Sequence, residues 1–221
     1  MEIATLEYPK KSHRKIICLP SESIELAELI GIVLGDGGIN NDWQLVITLN
    51  SIADLEYSRY VKNLLERLFA IHVAIRLRKD KNAMVLVCSS TSLVDFLITK
   101  GCVRGNKIKQ QITAPLWIQG IDIYERYFVR GLMDTDGGLY IHKHTVNKIN
   151  YRNIGLCFGS ASFPLICSVA TILKKFNIEP HISKDKRKIY LYSEKAVVDY
   201  LRIFGSSNPR ITNKFNEWKG A

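Results

Sequence analysis

The sequence predicts an α+β molecule of two pseudo-symmetric halves, each ordered helix, strand, strand, helix, strand, strand, helix (αββαββα). Three observations carry that expectation. An apolar run closed by Asp-Gly-Gly occurs twice, as LIGIVLGDGG at 29–38 and as VRGLMDTDGG at 129–138. Each run sets a small residue four positions after a glycine, Gly35 after Gly31 and Thr135 after Gly131. The segments behind the two runs then repeat one order of patterns, down to the matching stretches TSLVDFLITKG and KAVVDYLRIFG.

Residues 1–22 read as an N-terminal arm, interrupted by Pro9 and Pro20 and made basic by Lys10, Lys11, His13, Arg14 and Lys15. The first half is expected over 23–113. Ser21 or Ser23 can cap its first helix, Glu25 and Glu28 favour the helix's positive end, and the helix runs to about Leu34. A strand at 43–49 follows the turn-like Asn40-Asn41-Asp42. Asp54 opens a second helix with Leu55, Val61, Leu64, Leu65 and Leu68 on its apolar face. Strands around 71–78 and 83–88 flank the basic turn RKDKN, and a third helix stops at Gly101. After the basic loop GNKIKQQ and a linker at 114–124, the second half spans 125–221. It reads as a helix at 125–135, a strand pair over 139–158 with a longer turn, a helix at 163–176, strands around 179–184 and 188–192, and a last helix ending in glycine.

With 221 residues, 47% of them hydrophobic, the chain can bury a sizeable core. Its net charge of +10 favours a polyanionic partner such as nucleic acid. Five cysteines without CxxC spacing give neither a disulfide framework nor a zinc site. No apolar run follows the basic N-terminal cluster as in a signal peptide, and none is long enough to span a bilayer. The expectation is an intracellular protein, cytoplasmic or organellar, not secreted and without a membrane partner.

The first motif helix is apolar nearly all round, so it must be buried on both sides. Its natural partner is its copy. Small residues on facing stripes let two helix backbones approach closely, which brings Asp36 and Asp136 together at the helix ends. Each carboxylate there opposes the helix dipole at a cost of roughly 0.3–1 kcal/mol. Two together also repel, which raises one pKa. A divalent cation relieves both penalties, and hard oxygen ligands, including the carbonyls freed at the helix ends, suit magnesium. Such a pair can support phosphodiester hydrolysis by metal-activated water. One Asp-Gly after a helix is an ordinary turn; two copies in the same glycine frame point to a site.

These motifs resemble those of the LAGLIDADG homing endonucleases in their single-chain, two-motif form. The matching positions are Leu29, Gly31, Ile32, Asp36 and Gly37 in the first copy, and Gly131, Leu132, Asp134, Asp136 and Gly137 in the second. The stretches GCVRGNKIKQQITAPLWI and FGSSNPRITNKF also look like family segments, and the resemblance covers roughly residues 24–218. It implies αββαββα halves packed through the motif helices, with antiparallel strands forming a saddle over DNA. It implies that Asp36 and Asp136 bind catalytic divalent metal (Mg2+, or another such as Mn2+), with the carbonyls of Gly35 and Thr135 as further ligands. Lys107 or Lys109 in the first half and Lys214 in the second match the family's basic shell. Asn50 and Ser160 stand where some members carry a glutamine or lysine. Arg130 and Asp134, four residues apart, replace Ile30 and Leu34 of the first copy and suggest a same-face ion pair.

On saddle strands every second residue can reach the groove. The polar candidates are Asn40, Asn41, Gln44, Thr48, Arg76, Arg78 and Lys81 in the first half. In the second they are His142, His144, Lys148, Asn150, Arg152, Lys184, Lys186, Arg187 and Lys188. Arg and Lys favour guanine edges, Asn and Gln favour adenine, and some will touch only phosphate. His142 and His144 lack a third ligand nearby and read as groove-facing or solvated, not as a metal pair. The reading is a monomeric endonuclease, without an obligate protein partner, that makes a staggered break in a long asymmetric duplex target. An RNA-splicing maturase or a non-catalytic DNA-binding protein on the same scaffold is the alternative, and an unrelated basic α/β protein the third.

Overall fold

Helix α1 (Ile24–Gly35) starts where the Ser23 hydroxyl accepts the Leu26 N–H at 3.2 Å, and beyond Asp36 the chain turns directly into strand. This computed structural model describes residues 14–78 and 81–220. Residues 1–13, most of the basic arm, lie outside the described residues, as do Lys79 and Asp80 of the first basic turn and Ala221.

Strands β1 (Gly37–Asn41) and β2 (Gln44–Asn50) form a hairpin with a bulge between Ile39 and Asn41. Helix α2 (Leu55–Phe69) follows, buries Tyr57, Val61, Leu64, Leu65 and Phe69, and ends on Ala70 in the left-handed region. Strands β3 (Ala74–Arg78) and β4 (Ala83–Ser89) complete an antiparallel sheet of order β1-β2-β4-β3. Helix α3 (Thr91–Thr99) is capped by Ser90 and precedes Gly101 at φ +98°.

The second half repeats this plan with α4 (Asp122–Asp136), β5 (Gly137–Val146), β6 (Ile149–Gly159), α5 (Phe163–Lys175), β7 (His181–Ile182), β8 (Lys188–Leu191) and α6 (Glu194–Ile203). Its sheet has the matching order β5-β6-β8-β7. Three features differ from expectation. Helix α4 begins three residues earlier, inside the stretch read as linker. The β5–β6 turn is not longer: it is the two residues Asn147 and Lys148, both at positive φ, which leaves strands of 10 and 11 residues. A further helix, α7 (Pro209–Lys219), follows α6, announced by Asn208 as N-cap and Pro209 at its first position.

The core runs continuously through both halves, and α1 and α4 make the most extensive helix pairing in it. A methyl group added at Gly31 would collide with the Phe128 carbonyl oxygen, and one at Gly131 with that of Glu28. The glycine stripes thus face each other, as the spacing predicts, and no side chain separates the backbones there. One turn further on, Gly35 packs against the Thr135 side chain. The same-face pair expected within α4 does not form. Arg130 instead reaches across to buried Glu28, with Nη2 2.6 Å from Oε2. Glu28 has no cation on its own helix face, so a neighbour must neutralise it. Asp134 accepts the Ser206 hydroxyl at 2.5 Å and the Ser207 N–H at 2.6 Å. No described helix is long and apolar enough to cross a membrane.

Candidate functional site

The helix crossing delivers the two acids to the ends of α1 and α4, where two cavities of about 400 Å³ each open. One is lined by Asp36, Thr135, Arg210, Asn50, Thr48 and Asp54. The other is lined by Asp136, Gly35, Lys107, Ser160, Arg187 and Lys188. Each therefore combines the motif acid of one half with the small residue that ends the opposite helix, and each holds at least one cation.

Burial raises the Asp36 carboxyl to about 7, reinforced by the charges of Asp136 and Asp54 and opposed by Lys107 and Arg210. The Asp136 carboxyl keeps part of its surface open, yet protein on its other sides raises it as well, against the pull of Lys107. Lys107 is half-buried, and its ammonium donates to the carbonyls of Gly35 at 2.5 Å, Gly37 at 2.6 Å and Leu34 at 2.9 Å. Desolvation lowers its pKa while both aspartates raise it. The Leu34 and Gly35 carbonyls belong to the last turn of α1, so a cation sits at the negative end of the helix dipole.

The structure separates the predicted basic residues. Lys107 joins the site. Lys109 is exposed on its loop, where its N–H donates to Asn106 Oδ1 at 3.0 Å. Lys214 is exposed on α7. The second cavity cation is Arg210, which the sequence reading passed over. Its Nε donates to Asp54 Oδ1 at 3.1 Å, and its Nη2 lies 3.3 Å from the Asp134 carbonyl and 3.4 Å from that of Gly137. A signal existed: Arg210 follows Asn208-Pro209 much as Lys107 follows Asn106. Asn50 lines the Asp36 cavity, but its Oδ1 accepts the N–H groups of Ile52 and Ala53, both at 2.9 Å. Ser160 in the other cavity likewise accepts the Ser162 N–H at 3.1 Å.

The outer sheet faces are set by register. In the first half Gln44 pairs with Ser89, Val85 lies between Thr48 and Arg76, and Ala83 lies between Asn50 and Arg78, all turned away from the helices. Asn41 shares this face opposite Gln44, Asn40 occupies the bulge, and Lys81 is exposed just before β4. In the second half His142 and His144 share the outer face with Tyr140, Tyr151, Tyr190 and Lys188. Their rings stack, His142 on His144 at 5.1 Å and His144 on Tyr151 at 5.3 Å, and the tyrosines of this face went unnoticed in the sequence. Among the described residues no three His, Cys, Asp or Glu side chains group as metal ligands. Lys148, Lys184, Lys186 and Arg187 are exposed in turns.

Arg152 and Asn150, expected in the groove, face the opposite way. Arg152 pairs with Lys143 in the ladder and donates to the carbonyls of Trp218 at 3.2 Å and Glu217 at 3.0 Å, which fastens α7. Asn150 accepts the Thr145 hydroxyl at 2.7 Å. A two-residue turn sets His144 opposite Tyr151, so even positions of β5 share a face with odd positions of β6.

Comparison with known proteins finds the same architecture elsewhere. The family model of the LAGLIDADG-like domain matches residues 124–213. The first half carries the second copy of the same architecture, so the whole chain has the LAGLIDADG fold. The I-SmaMI LAGLIDADG homing endonuclease bound to cleaved DNA superposes with a TM-score of 0.61 at 10% identity, over 92% of this chain and 89% of that one. I-LtrWI, a LAGLIDADG homing endonuclease bound to target DNA, gives 0.60 at 10% identity, over 89% of each chain. Full-length DUF199/WhiA from Thermatoga maritima gives 0.56 at 20% identity over 91% of this chain, which spans only 62% of that protein. No curated protein sequence matches the chain.

The oxygen set of the LAGLIDADG helix ends fits a hard divalent cation. Two carboxylates and several carbonyls converge without enough cationic charge to hold Asp36 at its ordinary pKa. Asp36 and Asp136 are the groups that would hold the metal. The carbonyl of Gly35, a ligand the family resemblance implies, is held by Lys107. The Thr135 hydroxyl donates back to its own helix, to the Leu132 carbonyl at 2.9 Å.

Proposed function

We propose that this chain is a site-specific DNA endonuclease that makes a staggered double-strand break by metal-dependent hydrolysis at a long, asymmetric duplex target. The observation that supports it most is the pair of cavities, each with a motif aspartate and at least one cation, at the ends of two helices that lie between two sheets. Two such centres match two scissile phosphates. Magnesium or manganese, when bound, supplies Lewis acidity and an activated water. The residues of the chain do the rest. Asp36 and Asp136 anchor the metal and must be ionised to do so. Lys107 and Arg210 bring positive charge to the scissile phosphates. The outer faces carry Arg76, Arg78, Gln44 and Thr48 on one side and His142, His144 and Lys188 on the other to hold and read the duplex.

Selection of cleaved sequences from a random or genomic DNA library with magnesium present identifies the target. On that target Asp36→Asn and Asp136→Asn should each abolish double-strand cleavage while duplex binding persists. Unchanged double-strand cutting by either variant sinks the reading. A second reading, a DNA-binding protein or RNA-splicing maturase that does not cut DNA, draws on the seat of Lys107, whose ammonium already occupies α1 carbonyls that a metal would use. Tight duplex binding with no cut strand at any magnesium or manganese concentration decides for it.

A further inference from the structure

We propose that Asp54 is a positioning residue for one of the two strand cuts, acting through Arg210; this rests on the endonuclease reading. Asp54 stands at the N-cap position of α2, yet its side chain makes no capping hydrogen bond there. Its carboxylate turns instead to the other half of the molecule. Oδ1 accepts Arg210 Nε at 3.1 Å and Asn208 Nδ2 at 2.8 Å, and Oδ2 accepts the Asn50 N–H at 3.3 Å. The Asp54 side chain is 11% exposed and that of Arg210 33%, so the pair is set back from solvent. With Nη2 directed at the carbonyls of Asp134 and Gly137, the guanidinium is held from two directions beside the second motif. Its plane is thereby fixed in the cavity that contains Asp36.

The other cavity is built differently. The N-cap of α5, the counterpart of Asp54, is Ser162, whose hydroxyl donates to the Ile112 carbonyl at 2.6 Å. Lys107 is steered by main-chain carbonyls alone. A lysine is a point charge that needs no orientation, whereas an arginine fork acts only when its plane is set. An acid behind the arginine, and only main-chain carbonyls around the lysine, follow from that difference. Asp54 therefore serves the Asp36 cavity and has no partner role in the Asp136 cavity.

The test uses the full chain with the selected duplex, each strand labelled separately, under single-turnover conditions with magnesium. Asp54→Asn keeps the shape and removes the charge; Arg210→Lys keeps the charge and removes the fork. Each should slow the same one strand by about ten- to a hundredfold, the range that a charged hydrogen bond supports, and leave the other strand within about twofold. The double variant should be no slower than the slower single, because the two side chains act as one unit. Equal slowing of both strands by either folded variant, or no slowing, overturns the proposal while the endonuclease reading stands. If Asp54→Asn does not fold, Arg210→Lys alone decides. A wild-type chain that cuts neither strand overturns the endonuclease reading and this proposal with it.

Discussion

Burial pushes two carboxyls, Asp36 and Asp134, up to about 7. For Asp134 the hydrogen bonds from Ser206 and Ser207 pull the other way but do not offset desolvation. In both cases the folded state holds the proton more tightly than the unfolded state, whose value is 3.8. Their contribution to stability is therefore complete below about pH 4 and is lost as pH rises through about 7. The metal-free protein should melt at a lower temperature at pH 8 than at pH 5. Asp134→Asn should remove part of that slope, and magnesium should restore melting temperature at pH 8 in the wild type more than in Asp36→Asn. Thermal melts across this range check all three, and a wild-type melting temperature that rises with pH refutes them. The acids of the motif were legible because each is fixed to its own helix end by a local pattern. Arg210 and Asp54 were not, because they meet across 156 residues of chain.

The α1–α4 crossing depends on two glycines whose backbones touch. Gly131→Ala would drive a methyl group into the Glu28 carbonyl and should cost about 1–3 kcal/mol or more, read as a lower denaturant midpoint. Gly38→Ala meets nothing within 4 Å and should leave the midpoint nearly unchanged, which separates crowding from a general effect of replacing glycine. At the other end of the second half, Arg152 and Trp218 exchange hydrogen bonds that seat α7 on β6. Arg152→Ala should loosen α7, with faster amide exchange over 209–219, and change DNA sequence preference little because its side chain lies on the helix side of the sheet. The helices and most strands were legible from periodicity and caps. The hairpin turn was misjudged because Asn147 and Lys148 carry no glycine to mark their positive φ.

The whole molecule carries a net charge of +10, and its two sheet faces differ in chemistry. The first face presents Arg76 and Arg78 among short side chains such as Ala83 and Val85. The second presents His142, His144, Tyr151 and Tyr190. Replacing Arg76 and Arg78 by alanine should weaken duplex binding, and the salt slope should fall by about one for each phosphate that is no longer neutralised. His142→Ala, which removes an outer-face side chain without a fixed charge, should alter sequence preference with little change in slope. Binding titrations at two or more salt concentrations distinguish these outcomes; an unchanged slope in the double arginine variant rules out phosphate contact by both.

Repetition, apolar periodicity and the glycine frame are properties of neighbouring residues, so the two-fold plan, the helix crossing and the meeting of Asp36 with Asp136 follow from the order of residues along the chain. The partners of charged side chains are properties of space. Arg130 chose Glu28 on the opposite helix over Asp134 on its own, and Arg210 took the place assigned to Lys214. Strand parity is equally non-local: a two-residue turn instead of a longer one put Tyr151 on the outer face of the sheet and Arg152 on the helix side. Local pattern decides which elements form and which helices must touch. The electrostatics of each cavity are decided only when the halves close and buried charges find whichever counter-charge lies within reach.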